Sequence, residues 1–462
     1  MFISPRIISS RVLMTVVAAS LLHSVIVAIP EASAQPSGVY LADPITAAAT
    51  DPYATQPSGY FGNPSAGLID QPVFDGSLLR NSPLAPRRLF DRPVPYRGRL
   101  FMRSDYLAWW MDPMDTPALV TESPAGTPPN QAGFLGGNQT STLFGGELNG
   151  DFRSGVRVRG GWYVDPSRYW AVGGDYYQLF GSGDSFSASG PGTPGGQILA
   201  RPFFNIVSGN EAAQFISLAN VVSGDVAIDS RSRLQSFGIN VQADAVNAPN
   251  AASQIANGCG REPRIDWIIG YRYVALDDEL RFAENLVALG LSGNDNFVNS
   301  RESFETENRF QGLELGFVRE IPFGRWWFET VSRIAIGTNA QKVRIDGSTM
   351  LTESGVPATF PGDLYAQTTN IGTYERNRFA VVPEVGATLG FHLSPRMSLT
   401  AGYTLVYFSN VVRAGDQIDT DLNPDLLPVA NLPLTGAARP RFVFRQSDFF
   451  AHGATAGLDF RF

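Results

Sequence analysis

Cysteine is almost absent: Cys259 is the single one in 462 residues. That excludes an intrachain disulfide framework and any zinc site built on paired cysteines. Lysine is as scarce, Lys342 standing alone among 35 basic residues. Charged residues make up only 17% and the formal charge is −8, so a sequence-independent attraction to nucleic acid is excluded. There are three histidines, few for histidine-dependent chemistry. Beyond the first 34 residues no long apolar run exists, because Arg, Asp, Glu, Gly or Pro interrupts every stretch within a few residues. A membrane crossing by helices is therefore excluded there, and any crossing has to be a closed barrel. What is plentiful is glycine (47), proline (32) and aromatic residues (11%) in a chain that is 44% apolar. Turns and strands are favoured over long helices, and the chain is too apolar to be disordered throughout.

The first 34 residues read as an address. Arg6 and Arg11 precede an apolar run from Val12 to Ile29, Pro30 breaks it, and Ala32, Ser33 and Ala34 supply the small residues of a cleavage site before Gln35, as in a secretory signal. Residues 35–98 hold ten prolines among scattered Gly, Ala and Ser without a period, the composition of a flexible linker.

From residue 99 the pattern has a strict period of two. Val156, Val158, Trp162 and Val164 alternate with Arg157, Arg159 and Tyr163, and after a tight turn Trp170, Val172 and Tyr176 alternate with Ala171, Asp175 and Tyr177. The alternation recurs at 100–110, 237–244, 265–273, 312–317, 326–337, 379–391, 397–407 and 450–462. Strands of ten residues or more exceed the globular average of about five or six. Aromatic pairs near strand ends (Trp109-Trp110, Trp162-Tyr163, Trp326-Trp327, Phe449-Phe450) suit the girdles of a bilayer. Short connections at 165–167, 321–325 and 393–395, with an intermediate one at 246–263, alternate with long ones at 112–151, 181–230, 276–303, 346–372 and 413–446. The expected fold is all-β: an up-and-down antiparallel transmembrane barrel of ten strands, within a range of eight to fourteen because 221–228 and 280–284 are also strand-like.

The opening Arg99-Leu-Phe-Met-Arg-Ser-Asp-Tyr-Leu-Ala-Trp-Trp110, the middle Ile269-Gly-Tyr-Arg-Tyr273 with Leu276-Asp-Asp-Glu-Leu280, and the closing Arg439-Pro-Arg-Phe442, Ser447-Asp-Phe-Phe-Ala451 and Gly457-Leu-Asp-Phe-Arg-Phe462 resemble a bacterial outer-membrane β-barrel porin family whose first strand carries an acidic residue followed by Tyr-Leu-x-Trp-Trp. The resemblance covers 99–462. It implies an outer-membrane barrel with porin activity, and it brings no catalytic residues. The flush aromatic end, Phe460 and Phe462, resembles the insertion signal read by the barrel-assembly machinery.

The inward register collects Arg103, Arg157, Arg159, Arg272, Arg333 and Arg461 against Asp105, Asp175, Asp266, Glu314, Glu329, Glu384 and Asp459. These are the candidate lumen-lining residues. Mixed charges imply either water or an ion-pair network, so two functions are expected in order: passive diffusion of small solutes, or a plugged structural or adhesive barrel whose external loops bind a partner. Arg333 is expected to pair with Glu329, and Glu384, beside Gly386, to stand in a roomy stretch of wall. A hydrolase ranks third, since neither His392 nor His452 is expected on the lumen side near a nucleophile. No cofactor or metal is expected: Asp419, Asp421 and Asn423 begin like a calcium loop, but Pro424 and Ala430 occupy its glycine and glutamate positions, leaving a solvated acidic loop. Asn138 to Thr140 is a glycosylation sequon in spelling alone. Cys259 is read as a free thiol. Partners are outer-membrane lipid, the assembly machinery and small solutes, with assembly into homo-oligomers left open.

Overall fold

The computed structural model describes residues 98–137, 139–181, 183–245, 263–289, 297–353, 355–428 and 434–462. The signal, nearly all of the proline-rich segment, Asn138, the 246–262 connection and Cys259 lie outside them. Seventeen strands follow in chain order: β1 (Leu100–Met111), β2 (Met114–Ser123), β3 (Ser141–Leu148), β4 (Phe152–Tyr163), β5 (Trp170–Leu179), β6 (Ser185–Gly190), β7 (Ile198–Asn205), β8 (Asn210–Ser217), β9 (Val222–Asp244), β10 (Arg264–Ala288), β11 (Phe297–Phe323), β12 (Trp326–Glu353), β13 (Val356–Pro361), β14 (Gly372–His392), β15 (Met397–Val411), β16 (Asp421–Leu422) and β17 (Ser447–Arg461).

Ten of them close a barrel in the order β1-β4-β5-β9-β10-β11-β12-β14-β15-β17. β17 returns to β1 with Phe460 opposite Met102, and β9 joins β10 from Asp244–Asp266 to Val222–Ala288. Every neighbour is antiparallel. This is the ten-strand, up-and-down barrel expected from the alternation. No helix among the described residues is long and apolar enough to cross a membrane.

The tall strands contain two patterns end to end. In β10, Trp267, Ile269 and Tyr271 are exposed on the outer face while Arg272 faces in; from residue 276 the sense inverts, with Leu276, Leu280 and Phe282 buried and Asp277, Glu279 and Arg281 outside. β9, β11 and β12 invert at the same level. Phe237 and Ile239 point out below, Val226 and Ile228 point in above; Leu313 and Leu315 below give way to Phe304 and Phe310 above; Ile336 below gives way to Val343 and Ile345 above. The lower half wants hydrocarbon outside, and the upper half wants water. From Trp326 to Ile336 the outward run of β12 rises roughly 25–30 Å at about 3.3 Å per residue and a tilt near 40°, the height of an apolar belt.

The inversion corrects the connections. The intervals 276–303 and 346–372 are largely strand, because the walls continue above the membrane after their outward face turns polar. For the same reason 221–228 and 280–284 are the upper ends of β9 and β10 and not additional crossings. The remaining long connections supply a second sheet, in the order β16-β7-β2-β3 with β8 on β7. It packs Met114, Leu119, Leu199 and Phe203 against Ile228, Phe282, Phe304 and Ile345 of the tall walls. The barrel is capped at its loop end.

Aromatic pairs divide between two roles. Trp110, Trp162 and Trp326 are exposed on the outer face, but Trp109, Trp327 and Phe449, expected in the girdles, are fully buried inside. A period of two forces one member of each adjacent pair inward.

Candidate functional site

The site is the barrel interior, and three levels of it cross from wall to wall. At the turn end the thirteen inward charges are brought together. Arg103 on β1 forms a forked pair with Glu329 on β12, at 2.7 and 3.0 Å, and stands 3.5 Å from Asp459. Arg333 donates to Asp175 on β5 at 2.8 Å and to Glu384 on β14 at 2.7 Å. Arg272 donates to Asp175 at 2.9 Å and to Glu314 at 2.5 Å. Arg157 approaches Glu384 at 3.3 Å between the rings of Trp109 and Tyr177. Arg461 links Asp459 and Glu320, and Arg159 stands 3.9 Å from Asp105.

Two expected details are corrected. Arg333 does not pair with Glu329: residues four apart on a strand are about 13 Å apart along it, and both find partners on distant strands instead. Glu384 is not in open wall, since the guanidiniums of Arg157, Arg272 and Arg333 surround it. Sequence reading missed Arg264, which donates to the expected Asp266 at 2.6 Å; it lies one residue before the recognisable alternation. His392 is also corrected. It faces inward, and its Nδ1 lies 2.8 Å from Ser398 Oγ, both side chains buried. His452 is on the outer face as expected, bonded to the Tyr403 hydroxyl at 2.6 Å.

Above the charges lies an apolar layer of Trp109, Tyr177, Leu234, Phe310, Phe408 and Phe449. Phe310 of β11 meets Phe408 of β15 with ring centres 5.8 Å apart. Above that, Asn308 exchanges bonds of 2.8 Å with the backbone of Val412.

The third level is the cap. Arg201, on β7, is fully buried between the rings of Phe282 and Tyr365. It pairs with Glu284 of β10 at 2.5 Å, with Glu302 of β11, and with Asp363 before β14 at 3.2 Å. Glu302 also accepts from the backbone N–H of Tyr365 and Ala366. Three carboxylates against one guanidinium leave buried negative charge. Burial and the neighbouring carboxylates push Glu284 up to about 7 and raise Glu302, opposed by Arg201. A buried Arg413 pairs with Asp278 and ties the β15–β17 connection to β10. The acidic loop is not solvated as expected: Asp419 is buried, accepting from Arg439 at 2.9 Å and from the Arg441 N–H, while Asn423 bonds the Thr435 and Ala437 carbonyls. Protein groups occupy what a calcium ion would use. Among the described residues no group of three or more His, Cys, Asp or Glu could hold a metal.

A closed antiparallel barrel with an apolar belt, aromatic girdles and charges inside is a transmembrane barrel of the outer-membrane kind. Residues 101–462 match the family described as "Putative beta barrel porin-7", and the chain belongs to that family. Curated proteins give no match. Among solved structures the chain is similar to the outer-membrane protease OmpT of Escherichia coli (9% identity, 79% of this chain and 97% of that one, TM-score 0.36). It is similar to a FadL homologue of Pseudomonas aeruginosa (9%, 79% and 90%, 0.22) and to the toluene transporter TodX of P. putida (9%, 80% and 91%, 0.16). At such scores none of these likenesses bears on activity.

Proposed function

We propose that this is an outer-membrane barrel held shut, whose role is to anchor the external sheet at the surface of a Gram-negative-type bacterium, where that sheet binds a partner. The carrying observation is the interior crossed at three levels by Arg103–Glu329, Phe310–Phe408 and Arg201 with its three carboxylates. A ten-stranded barrel is close to the size that side chains fill completely. Planar-bilayer recordings test this: the folded wild-type protein is expected to stay silent, and steady single-channel steps would overturn the reading.

The second reading, passive diffusion of small solutes, is supported by the family's description and by the polar turn end of the lumen. It requires the cap and the aromatic layer to move, so conductance would appear only with openings that track cap release. Insertion through the assembly machinery fits Phe460 and Phe462, which stack on the outer face with ring centres 6.4 Å apart. We propose no enzymatic role. The His392–Ser398 pair is enclosed, and Asp459, the register partner of Ser398, is committed to Arg103 and Arg461.

A further inference from the structure

At the turn end the interior opens into a cavity of about 110 Å³, lined by six arginines and five carboxylates. Asp105, 3.9 Å from Arg159, and Asp244, 4.0 Å from Arg264, add to those carboxylates, so what sets the cavity apart is two guanidiniums whose donors are poorly matched. Arg103 and Arg159 stand directly opposite each other on β1 and β4, an unfavourable pairing of like charges in a sheet. Glu329, shared between them, gives both oxygens to Arg103. Arg159 therefore has only ion pairs of 3.6 Å to Glu329 and 3.9 Å to Asp105, beyond hydrogen-bonding distance. Its buried Nε has no protein acceptor.

Arg264 lines the same cavity. Its Nε chelates Asp266 at 2.8 and 2.6 Å and its guanidinium rests 5.0 Å from the centre of the Tyr163 ring. Its Nη2, also buried, has no protein acceptor. Asn240 adds a neutral donor to the lining, its carbonyl oxygen being occupied by Gln242 at 3.0 Å. A buried donor without an acceptor carries a full desolvation cost. Guanidiniums offer forked N–H pairs that match the oxygens of carboxylate and phosphate groups.

We propose that this cavity binds one small oxyanion, a carboxylate or phosphate group entering from the turn end and held by Arg159 and Arg264. The unmatched guanidinium donors of Arg159 and Arg264 call for an acceptor, their forked geometry selects oxygen over halide, and the volume admits a group of phosphate or acetate size but no sugar chain or nucleotide. The proposal does not depend on whether the cap opens, because the cavity lies on the turn side of the aromatic layer.

The test is calorimetric titration of the full folded chain in detergent with inorganic phosphate, with acetate and with chloride at matched ionic strength. Phosphate or acetate is expected to saturate at one site per chain, chloride to give no saturable heat, and the stronger of the two oxyanions identifies the group. Arg159→Gln and Arg264→Gln are expected to weaken binding at least tenfold each, while Arg344→Gln, exposed on the upper part of β12, leaves it unchanged. Arg159→Lys keeps the charge without the fork and should bind detectably but less tightly than wild type; it stands in if the glutamine variant does not fold. Heats that never saturate, equal affinity for chloride, or affinities unaltered in the Arg159 and Arg264 variants would overturn the proposal.

Discussion

Replacing Arg201 by Met probes the junction between cap and wall. The guanidinium is fully buried, stacked between two rings and paired with Glu284, Glu302 and Asp363. Removing one partner of a buried ion pair costs about 3–5 kcal/mol because the other is left uncompensated. Here the remaining carboxylates can take up protons, so the cost depends on pH. Glu284 is raised from an ordinary 4.5 to about 7 in the folded protein, and Glu302 is raised with it; the two titrate as a unit. Between pH 4.5 and 7 the folded cap binds more protons than the released one, so its stability falls as pH rises through that window. For Glu284 the change amounts to roughly 3 kcal/mol. Wild-type docking should therefore be tighter at pH 5 than at pH 8, and Arg201→Met should be much looser at pH 8 while approaching wild type at pH 5. Glu284→Gln should flatten the pH dependence. Hydrogen exchange of the β7 and β8 amides, corrected for intrinsic rates, measures this directly. Equal protection of Arg201→Met and wild type at pH 8, or an undiminished pH slope in Glu284→Gln, would refute the reasoning.

Arg333→Glu places a fourth carboxylate among Asp175, Glu314 and Glu384; urea unfolding in vesicles should show a loss of at least 3–5 kcal/mol. Glu384→Arg crowds a guanidinium against Arg157, Arg272 and Arg333, so its expected effect is failure to fold, read as loss of heat-modifiable gel migration, rather than altered ion selectivity. Trp109→Ala removes the largest fully buried side chain of the aromatic layer, which should cost about 3–5 kcal/mol and, with the cap released by Arg201→Met, permit ion conductance that neither change permits alone. Replacing Phe460 and Phe462 by Ser should leave export intact and abolish insertion; normal assembly in the membrane fraction would make them ordinary wall residues.

The barrel was legible because its lower half obeys one rule at every strand: apolar outside, charged or small inside. The same rule places thirteen charges, from Arg103 to Arg461, on the inward face, but it leaves out Arg264 and Glu320, which line the same interior. It could not pair them. Strand alternation states which face a side chain occupies, whereas Arg103–Glu329 depends on how β1 and β12 stand across a closed ring, information absent from either strand alone. The upper half was misread because there the rule reverses. Once outward positions become Asp277, Glu279 and Arg281, residues 276–303 read as a long connection in which 280–284 is strand-like but of unknown place, so the carboxylates Glu284 and Glu302 are hidden in it. Arg201 was missed for a related reason, since an arginine between Ala200 and Pro202 in a long connection gives no sign of the three carboxylates it meets.

The reversal of polarity along β9 to β12 also fixes the height at which the molecule can stop. Shifted a few residues outward, the wall would lift Ile336, Leu313 and Phe237 into water; shifted inward, it would draw Arg309, Asp277 and Arg233 into hydrocarbon. A charged side chain moved from the interface towards the bilayer midplane costs up to about 2–4 kcal/mol, and the strands must move together because each is bonded to its neighbours. Vertical position is thus written into four adjacent strands as a restoring force in both directions. A barrel so built does not need a thick or thin membrane to find its depth, and bilayers of differing thickness should deform around it before it slides.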